Sequence, residues 1–192
     1  MKIKALAALC KKGKSITILD ETDENGQVTR QWICCGTAVY PLDGMPEVTE
    51  DTILSVFDVP QSDRRLYSVG RGPVNNMSRY LADNEDADCE ATMGSMTIGV
   101  GGDVIKPIYT PYGLITIKAE TLKPVEDSSK TAQYFARELP TGTVIVVKNG
   151  FQAVATIVQH NNWAMWDRIA EELGDMSRLA ARLEEKQRSK DA

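Results

Sequence analysis

Four cysteines, one histidine, a run of carboxylates and two groups of basic side chains hold most of the chemistry this sequence could perform. The thiols are Cys10, Cys34, Cys35 and Cys89. No Cys-x-x-Cys spacing occurs and His160 is the only histidine, so the usual ligand pattern of a structural zinc site is missing. A chain of 192 residues, 42% of them hydrophobic, has no need of disulfide staples. Reduced thiols are expected, with neighbouring Cys34 and Cys35 on opposite faces of a strand. A nucleophilic cysteine needs a base or metal beside it. Cys34 and Cys89 have no such partner nearby in sequence. His160 stands where a helix should begin, and capping or packing accounts for it there. No catalytic residue, no metal and no cofactor is expected.

Asp83, Glu85, Asp86, Asp88 and Glu90 put five carboxylates into eight residues. The central glycine and terminal glutamate of a calcium loop are not in place, so this run reads as a solvated loop. Residues 94–103 contain four glycines. They match neither a phosphate loop nor the dinucleotide fingerprint. Met96, Ile98 and Val100 instead alternate as in a strand. Lys11, Lys12 and Lys14 form one basic group, and Arg64, Arg65 and Arg71 another; either could meet phosphates. The formal net charge of -5 argues against a protein that works mainly by phosphate neutralisation.

These residues must be held by elements that the apolar spacing outlines. Ile3, Leu6, Ala7 and Cys10 mark one face of a helix over residues 2–12, stopped by Gly13. Residues 15–20 and 28–35 read as strands, with Trp32 in packing. Residues 36–40 are again extended. Thr49 is a plausible N-cap for a helix over 50–58; with Thr52 three residues on, the full capping box is not expected. Residues 66–69 read as a strand broken by Gly70 and Gly72-Pro73. Asn75 or Asn76 would cap a helix reaching Leu81. Residues 104–109 and 114–119 read as strands, and Pro107 places the first at an edge or bulge. Ser128 or Ser129 would cap a helix over 130–139. The strongest signal is a hairpin of residues 144–148 and 151–158 turning on Asn149-Gly150.

Beyond His160 the period changes. Trp166, Ile169, Leu173, Met176, Ala180 and Leu183 recur at steps of three and four, the seam of a heptad repeat. With Leu179 beside it, this stripe predicts a long C-terminal helix and a protein-binding surface of Trp166, Ile169, Leu173, Met176, Leu179 and Leu183. The fold class expected is α+β: a mostly antiparallel sheet, short packing helices and the long C-terminal helix. Residues 1–160 form the globular domain, with a subdivision near 83–93 open. Residues 161–192 pack partly on the sheet and partly against another copy or a partner.

The segment Gly36-Thr-Ala-Val-Tyr-Pro-Leu-Asp-Gly-Met-Pro46, the helix after Thr49 and the hairpin after Pro140 resemble small uncharacterised proteins of phages and prophages of Gram-positive bacteria. The resemblance covers about a third of the chain and carries no catalytic residues. It implies a phage accessory protein in the host cell cytoplasm. No run of about 18 apolar residues occurs, and no membrane role is expected. The leading expectation is a non-enzymatic protein, homo-oligomeric through its C-terminal helix, that binds and modulates a host or phage protein. The alternative is a nucleic-acid-associated accessory protein of phage DNA metabolism, of a clamp-like kind, using Lys11, Lys12, Lys14, Arg64, Arg65 and Arg71.

Overall fold

A computed structural model describes residues 1–74, 77–100 and 102–160, together with Glu171, Gly174, Asp175, Met176, Arg178, Leu179 and Arg182. Residues 1–160 form one compact unit and residues 161–192 a second. The first unit is α+β. Helix α1 (Ile3–Gly13) leads into β1 (Ser15–Thr22), β2 (Val28–Cys34) and β3 (Ala38–Pro41). Then come α2 (Glu50–Val56), β4 (Ser68–Pro73) and the one-turn α3 (Ser78–Leu81). Strands β5 (Cys89–Met93), β6 (Ile98–Val100), β7 (Asp103–Thr110) and β8 (Gly113–Lys118) follow. A run of 3-10 turns, Ala119–Lys130, precedes β9 (Ala132–Leu139), β10 (Gly142–Asn149) and β11 (Gln152–Val158).

The strands join in the order β4-β1-β2-β3-β11-β10-β9-β5-β7-β6, with β8 on the far side of β7. Every pairing is antiparallel except β1 with β4. The order follows from local connection: β1-β2-β3 and β9-β10-β11 are both meanders, and they meet where β11 pairs β3. Strand β5 splits its partners. Residues 89–91 pair β9, and Thr92 and Met93 pair β7.

Both faces of the central strands are covered, which is why residues 144–147 are apolar without alternation. Ile145 and Val147 join a core built with Leu6 and Cys10 of α1, Ile53 and Phe57 near α2, and Val125 of the 3-10 run. Val144 and Val146 pack on the other face with Leu139, Ala153 and Tyr80. Trp32, Leu19, Val39 and Leu81 form a neighbouring cluster. Trp32 is a packing residue as expected; it is 2% exposed and the Arg30 guanidinium lies 4.2 Å from its ring centre.

Several expectations need correction. Residues 130–139 are not a helix. They form β9, which pairs all along β10. The pairing wins because Tyr134 and Phe135 favour strands and the Pro140–Gly142 turn lets β9 fold back on the apolar run. Pro107 does not mark an edge: β7 has β8 on one side and β5 and β6 on the other. The Pro107 carbonyl accepts from the Gly94 N–H at 2.8 Å. Gly70 and Gly72 do not break β4 but lie within it, where they pair with Thr17 and Leu19. Thr52 completes the capping box after all: Thr49 Oγ1 accepts from the Thr52 N–H, and Thr52 Oγ1 accepts from the Thr49 N–H at 2.8 Å. A threonine hydroxyl does here what a longer acid or amide does elsewhere.

The central hairpin turns one residue later than expected. Asn149 pairs with Gln152, leaving Gly150 and Phe151 as the loop. Gly150 has φ +63°, the left-handed region that glycine enters without steric cost. The alternation in β11 is also interrupted. Val147 pairs Ala155 and Lys148 pairs Ala153, so Val154 is a bulge. The bulge sends Ala153 and Ala155 to opposite faces.

Asn75 and Asn76, the expected cap of α3, lie outside the described residues, as do Trp166, Ile169, Leu173 and Leu183. The described positions beyond 160 are all helical; Met176 and Leu179 are 67% and 58% exposed. None of the described helices is long and apolar enough to cross a membrane.

Candidate functional site

Reactive side chains concentrate at the C-terminal end of α1. Leu9, Lys12 and Gly13 of α1 meet the β2–β3 turn, Lys118 at the end of β8, and the first 3-10 turn. The turn is fixed by its own backbone. The Cys35 N–H donates to the Ala38 carbonyl at 2.9 Å, and Gly36 takes φ +70°. This leaves Cys35 half-buried and facing the cluster that contains Cys10, while Cys34 packs on the opposite face with Trp32.

A cavity of about 230 Å³ opens beside this turn, and a second of about 210 Å³ shares Lys12 and Glu120 with it as walls. Cys35 lines the first, and Asp103 and Lys123 the second. A third cavity of about 350 Å³ continues along the 3-10 run, lined by Met93, Leu122, Val125 and Tyr134 with Lys106 and Lys123. The charges between the first two alternate. Lys12 Nζ lies 2.7 Å from Glu120 Oε2 and 3.9 Å from Asp103; Lys118 Nζ lies 2.8 Å from Asp103. The hydrogen bond to Glu120 raises the Lys12 pKa, and the one from Lys118 lowers that of Asp103.

The thiols differ sharply. Cys10 is fully buried, and neighbouring Cys35, then burial, pushes its pKa up. The Cys35 thiol, which donates to the Ala38 carbonyl at 3.7 Å, is held below its ordinary range by neighbouring Cys10. Burial raises Cys34. Behind the thiols the Tyr40 hydroxyl donates to the Thr121 carbonyl at 2.5 Å, and burial raises its pKa. All four cysteines are free, as expected. Among the described residues no cluster of three or more His, Cys, Asp or Glu could hold a metal ion.

The six basic residues of the alternative reading divide. Lys11 donates to the Asp58 carbonyl at 3.2 Å, and Arg64 to the Val59 carbonyl and to Ser55 Oγ. The Lys14 carbonyl accepts from the Ser68 N–H. These contacts hold Lys11 and Arg64 to the segment after α2 and Lys14 to the start of β4, with Arg65 next to Arg64 in the chain. Lys14 and Arg65 are exposed. Lys12 and Arg71 are turned elsewhere, Lys12 to Glu120 and Arg71 to Asp20 and Glu47.

The acidic run is not simply a solvated loop. Asp88 is buried against the sheet, 2.6 Å from Arg137 Nε and 2.8 Å from Lys148 Nζ. Asp83 accepts from the Ala153 N–H at 3.0 Å. Sequence reasoning missed this network because each partner lies at least 49 positions away from its carboxylate. Arg137 at an inward position of a strand would have been the signal, had residues 130–139 been read as a strand. Cys35 was missed for the same kind of reason: Cys10, in the same core cluster, is on another element. No family model, curated protein or solved structure matches the chain.

Proposed function

We propose that this chain is a non-enzymatic accessory protein that self-associates through residues 161–192 and binds another protein. One observation carries the reading. Met176 and Leu179, three apart on the expected apolar stripe, stay more than half exposed in the single chain. Apolar side chains recurring at heptad spacing gain from burial against a second helix. Trp166, Ile169, Leu173 and Leu183 extend the same stripe in sequence. The cross-strand pair Tyr109 and Leu114, both more than half exposed, offers a further apolar surface for a host or phage protein. The phage setting and the host cytoplasm rest on the sequence resemblance. Light scattering tests the self-association: the full chain is oligomeric and a chain ending at Gly174 is monomeric. Two monomeric species overturn it.

The second reading, nucleic-acid association, is favoured by the exposed side chains of Lys14 and Arg65. It is weakened by the carboxylates that hold Lys12 and Arg71. Anisotropy with a labelled DNA duplex separates the two. A nucleic-acid protein shows binding at about 50 mM salt that fades by about 200 mM, and weaker binding in Lys14→Ala/Arg65→Ala. Absence of binding at the lower salt removes this reading.

A further inference from the structure

The cavity of about 350 Å³ beside the 3-10 run has two kinds of wall. Met93 of β5, Lys106 of β7 and Tyr134 of β9 come from the sheet, where β5 pairs both β7 and β9. Leu122, Lys123 and Val125 come from the 3-10 run. That run is anchored at two points. The Thr121 carbonyl accepts from the Tyr40 hydroxyl at 2.5 Å, and the Pro124 carbonyl accepts from the Lys2 N–H at 2.7 Å. Pockets for small molecules are largely preformed in this way, over a range of about 300–1,000 Å³, and this cavity lies at the small end.

The position of Lys106 carries the inference. It shares one face of β7 with Ile108, and its cross-strand partner on β8 is Ile117. Both isoleucines are fully buried in the main core cluster. A half-buried ammonium group therefore stands on the inward side of the sheet, among apolar walls. Neither Lys106 nor Lys123 makes a hydrogen bond or ion pair to another described residue. The Tyr134 hydroxyl has no hydrogen-bond partner among the described residues either. Glu126 also borders the cavity, but its side chain is 64% exposed and its carboxylate lies 3.7 Å from Lys2 Nζ. A cation beside apolar walls attracts an anion more strongly than one in water does, and the hydrogen bond it forms is charge-assisted.

We propose that this cavity binds a small apolar carboxylate, an aliphatic or arylalkyl acid. Its carboxylate sits on Lys106 and Lys123, and its apolar body lies against Met93, Leu122, Val125 and Tyr134. An uncharged molecule of the same shape leaves Lys106 unpaired, and an amine brings a third positive charge to the two lysines. The cavity lies wholly within residues 1–160, so this binding is independent of self-association through residues 161–192.

The test is calorimetric titration of the full chain with octanoate, phenylpropionate, octanol and octylamine. NMR of isotope-labelled methionine methyls locates the ligand, with Met93→Leu identifying the Met93 signal. At least one of the two acids should bind with a Kd below about 1 mM and shift the Met93 methyl; the tighter one tells whether a chain or a ring is preferred. Octanol should bind about tenfold more weakly than octanoate, and octylamine should not bind. Lys106→Met keeps the side-chain length and removes its charge. It should weaken binding of the acid about tenfold and leave octanol unchanged. Lys14→Ala, exposed and outside the cavity, should bind the acid as the parent does. Octanol binding as tightly as the acids overturns the proposal. So does heat of binding with an unmoved Met93 methyl, or no binding of either acid below about 1 mM. The comparison of head groups uses the parent chain and needs no variant to fold.

Discussion

Arg137 and Asp88 meet as a two-point pair, Nε to Oδ1 at 2.6 Å and Nη2 to Oδ2 at 2.7 Å. The Arg137 side chain has no exposed surface and that of Asp88 is 5% exposed. The remaining guanidinium nitrogen donates to the Arg79 and Ala82 carbonyls. Lys148 adds a bond to Asp88 and one to Asn84 Oδ1, with its ammonium 4.4 Å from the centre of the Phe135 ring. The network ties the segment between α3 and β5 onto the middle of the sheet. Such a group is costly to halve, because the surviving charge is left buried and unpaired.

Asp88→Ala should therefore cost about 3–5 kcal/mol of unfolding free energy, read from urea midpoints. Arg137→Met should cost as much or more, since the Arg79 and Ala82 carbonyls lose their donor as well. Lys148→Met should cost less, because Arg137 still faces the carboxylate. An Asp88→Ala chain as stable as the parent would show that the network does not hold the segment.

The same pair gives stability a pH dependence. Burial by itself would raise the Asp88 pKa; hydrogen bonds from Arg137 and Lys148, and their charges, outweigh it and hold the carboxyl below its usual range. A depressed folded pKa stabilises fully above the unfolded value, about 3.9 for aspartate. That contribution disappears as pH falls from there through the lower folded value. Urea midpoints measured from neutral pH into acid should drop in the parent, and drop less steeply in Asp88→Asn. Parallel profiles would assign the acid loss to other carboxylates.

The threonine capping box makes a smaller prediction. Thr49→Ala removes the acceptor for the Thr52 N–H and should cost about 1 kcal/mol. Thr52→Ala removes the reciprocal acceptor for the Thr49 N–H. The two losses should not add, since each hydroxyl serves the same turn. A double-mutant cycle in thermal unfolding reads the coupling.

Gly94 is where β5 passes close to β7. A Cβ there would stand 2.8 Å from Pro107 Cγ and 3.1 Å from the Pro107 carbonyl oxygen. Gly94→Ala should cost about 1–3 kcal/mol by overpacking, while Ser95→Ala, at an exposed position, should be near neutral. Equal midpoints for the two would mean that β7 gives way freely.

Much of this fold is written locally. The apolar face of α1, the β-branched run of residues 144–147, the Thr49 cap and the glycine turn at Gly150 all act over a few residues, and all appear close to where the sequence places them. The errors fall where two local preferences compete. Residues 130–139 carry charges and spacing that suit a helix, yet β10 offers a complete ladder of backbone partners. Gly70 and Gly72 look like breaks and Pro107 like the mark of an edge, yet each fits a strand whose neighbours tolerate a missing side chain or donor.

The sequence by itself determines the composition of the core, the turns and the absence of standard zinc, calcium and nucleotide motifs, because these depend on residue type and short spacing. Only the tertiary structure decides which distant groups meet. Asp88 finds Arg137 across 49 positions, and Cys10 of α1 and Cys35 of the β2–β3 turn enter one core cluster. Burial then changes what those groups are. A carboxylate in a polar run becomes a paired internal charge, and the Cys10 thiol loses all exposure to solvent. Spacing along the chain holds no record of that, because the dielectric and the hydrogen-bond partner are properties of the packed neighbourhood.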